Sequence, residues 1–91
     1  MFQLLNVNTM IDNEKIVNVA VELKDKLIQL NINETLIAEI EWCLGSFAND
    51  GNPEGLILKG KEAVNSLKKF KESNPRKVSK KLIEKASKIL S

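Results

Sequence analysis

Few residues in this 91-residue chain have the chemistry of a catalytic or ligating group. Histidine, the usual general base near neutral pH and the commonest transition-metal ligand, is absent. Without it there is no Ser-His-Asp or Cys-His nucleophile system, no HExxH zinc site and no Glu-x-x-His di-iron pattern. Cys43 is the only cysteine, so neither an intramolecular disulfide nor a thiolate zinc site can form. Its spacing from Ile40 and Phe47 puts it on an apolar helix row, where a thiol behaves as a small buried hydrophobe and not as a nucleophile. Glu39 and Glu41 are too close in sequence to share a helix face, so they do not make an acid–base pair.

Asp50, Asn52, Glu54 and Gly55 match the first four constrained places of an EF-hand calcium loop. The match then fails, because Leu58 stands at the ninth place and Lys61 at the twelfth, where a bidentate Glu is required. An ammonium there would repel calcium, and Pro53 suits the start of a helix better. No catalytic residue, cofactor site or metal site is therefore expected, and the chain is read as non-enzymatic.

Binding chemistry is easier to find. Trp42 lies about 200° around a helix from Ile40, away from the apolar row, with Thr35, Ala38, Gly45 and Ser46 beside it. A bulky aromatic on a floor of small residues is the composition of a partner site, and Trp is enriched among binding hot spots. Val17, Val21 and Ile28 form a second apolar stripe on the helix before it. The alternative is that Phe2, Leu4, Leu5 and Val7 fold back over Trp42. Arg76, Lys77, Lys80, Lys81 and Lys88 make a basic face, extended by Lys68, Lys69 and Lys71, with Glu84 placed to pair with Lys80 or Lys88. Clustered Lys can neutralise phosphates. Sequence-specific readout would also want Arg forks, Asn or Gln at base edges, or stacking aromatics, and this segment has one Arg and no free aromatic.

These residues need helices to carry them. Apolar residues recur at steps of three and four in four stretches: Ile16–Ala20–Leu23–Leu27–Leu30, Leu36–Ile40–Cys43–Phe47, Leu56–Gly60–Ala63–Leu67–Phe70 and Val78–Leu82–Ala86–Ile89. Asn33 reads as an N-cap, and Asn52-Pro53 and Asn74-Pro75 both read as a cap followed by Pro at the first helical place. The first helix is expected to start near Thr9 or Asp12, which stand at capping-box spacing. The expectation is an all-α, antiparallel, up-and-down four-helix bundle with helices at about 10–30, 34–48, 53–72 and 75–90. Residues 1–8 are expected to form an N-terminal arm, in which only Phe2–Val7 carries any strand signal. Gly60 is expected to make room for a close helix approach or a large side chain.

Ninety-one residues allow one domain, and the 43% apolar share supports one core. Residues 1–58 hold three Lys against nine acids, whereas residues 59–91 hold eleven Lys and Arg against three acids. The two halves should attract each other, and the excess of either can meet a partner of opposite charge. No apolar run approaches the ~18 residues of a membrane span, and the first residues lack the basic and apolar regions of a signal peptide. A lone thiol suits a reducing compartment, so a cytoplasmic location is expected. A composition rich in Lys, Asn and Ile suits an AT-rich bacterial genome.

No motif places the chain in a family. In size, helical content and basic C-terminal half it is similar, by shape alone, to small cytoplasmic bundles that serve as bacteriocin immunity proteins, and shape does not carry function. The leading expectation is a protein–protein interaction module, homodimeric or docking a partner, that uses the outer faces of the first two helices. The alternative is a nonspecific binder of nucleic acid or an anionic surface through the Lys-rich last two.

Overall fold

The computed structural model describes the backbone of residues 2–91 and the side chains of residues 13–91. Four helices follow one another: α1 (Phe2–Leu30), α2 (Glu34–Asp50), α3 (Glu54–Ser73) and α4 (Lys80–Leu90). They pack on each other as an all-α four-helix bundle.

Each boundary has a local cause. α1 ends in a Schellman motif: Asn31 is left-handed at φ 56°, its N–H donates to the Ile28 carbonyl, and the Ile32 N–H reaches back to that of Leu27. Asn33, also left-handed, caps α2 by accepting from the Leu36 N–H. α2 stops at Gly51, whose φ of 71° suits glycine and whose N–H closes on the Phe47 carbonyl. Asn52 Oδ1 accepts from the Glu54 N–H at 3.0 Å, and the Pro53 carbonyl accepts from the Ile57 N–H. Asn52 and Pro53 thus stand within one residue of the expected start, but Pro53 itself is the N-cap and Glu54 the first helical residue.

Two starts differ from the expectation. Residues 2–8 belong to α1, so the expected N-terminal arm is helix, as is the stretch with the weak strand signal. The physical reason is that nothing interrupts helix there: the first Gly is Gly45 and the first Pro is Pro53. Thr9 and Asp12 are accommodated inside the helix and do not begin it. α4 begins at Lys80, not near residue 75. Asn74 closes α3 by donating its N–H to the Phe70 carbonyl, and Pro75 then disfavours helical backbone at the residue before it. Ser79 is the real N-cap, with Oγ accepting from the Lys81 and Leu82 N–H groups. Val78 and Ile83, both buried, flank that cap at the spacing of a hydrophobic staple. Lys71 Nζ clamps the turn by donating to the Pro75 and Val78 carbonyls.

α1 and α3 each pack on all three other helices, whereas among the described residues α2 and α4 do not touch. The bundle is therefore flattened, 24 by 16 Å in cross-section, with α1 and α3 inside and α2 and α4 on opposite flanks. Small buried residues on the inner pair, Ala20 on α1 and Ala63 on α3, suit this short diagonal. The core is aliphatic, led by Leu23, Leu27, Ile40, Leu56, Leu67 and Leu90. A Cβ on Gly60 would come within 2.7 Å of Leu90 Cδ1, so this glycine makes the space that the end of α4 fills.

Candidate functional site

α2 lies on a flank, so one of its faces has no neighbour among the described residues. Leu36, Ile40 and Cys43 point inward. At about 100° per residue the opposite side carries Glu34, Thr35, Ala38, Glu41, Trp42 and Gly45, all of them exposed. Trp42 is 74% accessible. Beside it, the position a Cβ would take on Gly45 has no atom within 4 Å. The strip therefore offers a large aromatic knob next to a hole over bare backbone. The side chains of Phe2, Leu4, Leu5 and Val7, the alternative cover for Trp42, lie outside the described residues.

The expected partner residues divide into two groups. Ala38, Trp42 and Gly45 share the outer strip of α2. Val17, Val21 and Ile28 lie on the flank of α1 that faces the other edge of α2. Val17 and Val21 are half-buried, and Val17 lines a shallow groove of about 300 Å³ with Asn13, Glu14, Asn18 and Phe47. Ile28 is 49% exposed. Between the two groups stand Ile37 and Leu44, packed against the core.

Around α2, Trp42 lies away from the α1 edge and nearer the edge that meets α3. There the two helices run antiparallel with Glu39 opposite Lys59, and Cys43 opposite Gly55. Leu58, 59% exposed, occupies the solvent side of that same stretch of α3. It is an exposed apolar residue that periodicity alone did not single out, although it falls off the row Leu56–Gly60–Ala63–Leu67 and so should face outward. Lys59 holds Glu39 and Glu62, each at 3.1 Å. Hydrogen bonds to Glu62 and then Glu39 raise its pKa above the ordinary lysine value.

The remaining polar groups have structural employment. Cys43 is buried, and a Cβ on Gly55 would sit 3.2 Å from its Sγ. Asp50 and Asn52, the first oxygens of the calcium-like stretch, accept from the backbone N–H groups of Asn52 and Glu54. Among the described residues no three His, Cys, Asp or Glu side chains come together as a metal set. No helix searched among them is long and apolar enough to cross a membrane.

The expected basic face is spread over a turn and a helix. Arg76 and Lys77 lie in the turn before α4, Lys80 and Lys81 in its first turn, and Lys88 near its end, all exposed. None of the five makes an ion pair among the described residues, and neither does Glu84, which was expected to neutralise Lys80 or Lys88. The lysine of α4 that is paired is Lys85, whose Nζ meets both carboxylate oxygens of Glu22 at 2.7 and 2.8 Å. That contact and Lys59–Glu39 join the acidic half of the chain to the basic half.

Comparison with known proteins leaves the site to be read from its own geometry: no protein-family model, no curated protein and no solved structure matches the chain.

Proposed function

We propose that this chain is a non-enzymatic protein–protein interaction module that docks a partner, or a second copy of itself, through the outer faces of α1 and α2. One observation carries the reading: Trp42 stands 74% exposed on the side of α2 opposite its buried row of Leu36, Ile40 and Cys43. Leaving so large an apolar side chain in water forgoes roughly 2 kcal/mol or more of burial. Leu58 and Ile28 are exposed as well, and exposed apolar side chains on so small a domain favour a docking role. The absence of His and the burial of the one thiol support a binding role over catalysis. The single unpaired thiol also supports a cytoplasmic location.

Sedimentation equilibrium, with Trp42 emission followed over the same concentrations, tests self-docking. A mass that rises together with a blue shift, both lost in Trp42→Ala, supports it. A monomeric mass at every concentration restricts the module to foreign partners.

A second reading has its own observation. Arg76, Lys77, Lys80, Lys81 and Lys88 are exposed and unpaired among the described residues, as a binder of nucleic acid or an anionic surface requires. Electrophoretic mobility shift over a salt series decides it, and no shift even at low salt removes this reading.

A further inference from the structure

We infer that the outer face of α2 receives a basic amphipathic helix of another protein, with Trp42 as its apolar anchor. This rests on the interaction-module reading and names the partner's chemistry. α2 contains four acids, Glu34, Glu39, Glu41 and Asp50, and no Lys or Arg. Glu39 is held by Lys59, and Asp50 accepts from the Asn52 N–H. Glu34 and Glu41 are exposed and have no ion pair among the described residues. They lie on the same strip as Ala38, Trp42 and Gly45, so the surface combines an aromatic knob, small residues and two free carboxylates. The nearest exposed cation on the neighbouring helix is Lys61, one turn beyond Leu58.

Shape and charge together select the occupant. Ala38 and Gly45 allow another helix axis to approach closely, and the bare backbone at Gly45 accepts a side chain from it. A two-fold pairing of α2 with its own copy would bring four unpaired carboxylates into one seam with no Lys or Arg on either α2 to offset them. The strip is also only about 20 Å long, short of the ~800 Å² per partner of a standard stable interface. Phosphate-bearing surfaces are repelled by the same two groups. A helix with an apolar stripe edged by Lys or Arg, laid along α2, satisfies both the carboxylates and Trp42. The chain as a whole is +2, so net charge does not draw a cationic helix to it, and any attraction must be local to this face.

The test is a fluorescence titration of the full chain with two synthetic peptides of identical helical pattern, one of Leu and Lys and one of Leu and Glu. The expected result is a saturable blue shift of Trp42 emission with Leu/Lys only. Glu34→Gln with Glu41→Gln weakens it roughly threefold to tenfold, as does raised salt, whereas Glu72→Gln with Glu84→Gln, which changes net charge equally, leaves it unaltered. Circular dichroism confirms that each variant is folded, and Trp42→Ala, followed by calorimetry, loses ~30-fold in affinity. Equal response to both peptides, or equal loss in both double variants, overturns the charge argument. If the Leu/Lys peptide is ignored while concentrated chain shields its own Trp42, the module reading stands and the basic-partner inference falls. If nothing shields Trp42, the basic-partner inference falls together with the self-docking form of the module.

Discussion

Replacing Gly60 with alanine should show how tightly the end of α4 is seated. A mid-helix Gly→Ala change gains about 1 kcal/mol from helix propensity alone. Here the new methyl would lie 2.7 Å from Leu90 Cδ1 and 3.2 Å from Cδ2, whereas apolar carbons rest about 3.5–4.0 Å apart. Overpacking of this kind costs about 1–3 kcal/mol. Leu90 is the last residue of α4 and yields more easily than a mid-helix side chain, so the lower part of that range applies. Gly60→Ala should therefore leave the wild type unchanged or up to about 1 kcal/mol less stable. Leu90→Ala alone should cost about 2 kcal/mol, the low end for a buried Leu. In that background the obstacle is gone, and Gly60→Ala should recover about 1 kcal/mol. The coupling between the two sites is then about 1–2 kcal/mol. Urea unfolding of all four proteins by far-ultraviolet circular dichroism measures it, since Trp42, already in water, makes a poor unfolding probe. Equal stabilisation by Gly60→Ala in both backgrounds would refute the contact.

Three further outcomes are expected. Ser79→Ala should lower stability by about 1 kcal/mol through loss of the α4 N-cap, and urea midpoints should show a smaller effect for Asn74→Ala, since Asn74 closes α3 and does not open α4. Lys59 has a raised pKa from Glu62 and Glu39, so its contribution is complete below the ordinary lysine value of about 10.4 and is lost as pH rises through the folded-state value. Urea midpoints of wild type and Lys59→Met should therefore converge in strong alkali; an unchanging gap would contradict the pairing. The Glu22–Lys85 pair joins half-exposed side chains, so Glu22→Gln should cost less than about 1 kcal/mol, and the difference should shrink in high salt.

Local signals in the chain account for much of this fold. Asn33 caps α2, and Asn52, one place before the Pro53 N-cap of α3, accepts from the Glu54 N–H, because a short polar side chain next to an apolar run has few other uses. Gly51, in the left-handed region, stops α2 for a purely steric reason. On α1, α2 and α3 the apolar rows largely match the buried residues, including Gly60, whose vacant Cβ position faces Leu90. On α4 the buried residues are Ile83, Ala86 and Leu90, whereas Leu82 and Ile89 of the expected row are half-buried. Trp42 was legible as outward-facing because it breaks the row set by Ile40 and Cys43. What escaped depended on competition or on distance. Asn74-Pro75 and Ser79 both resemble helix starts, and the buried pair Val78 and Ile83 decides for Ser79. The start of α1 carries no stop signal, so a cap-like Thr9 misled. Glu22 finds Lys85 across 63 residues, a pairing set by which flank α4 takes. Where Leu58 stands relative to α2 is set only once Lys59 is seen opposite Glu39.

Acrylamide quenching of Trp42 over a dilution series tests the central claim most directly, because every step toward a docking surface depends on that ring standing in water when the chain is alone. At the lowest concentration Trp42 should be quenched nearly as efficiently as in the urea-unfolded chain, with shielding only when a partner or a second copy is added. Shielding that persists at the lowest concentration in the folded chain would place the ring inside the molecule and contradict the account.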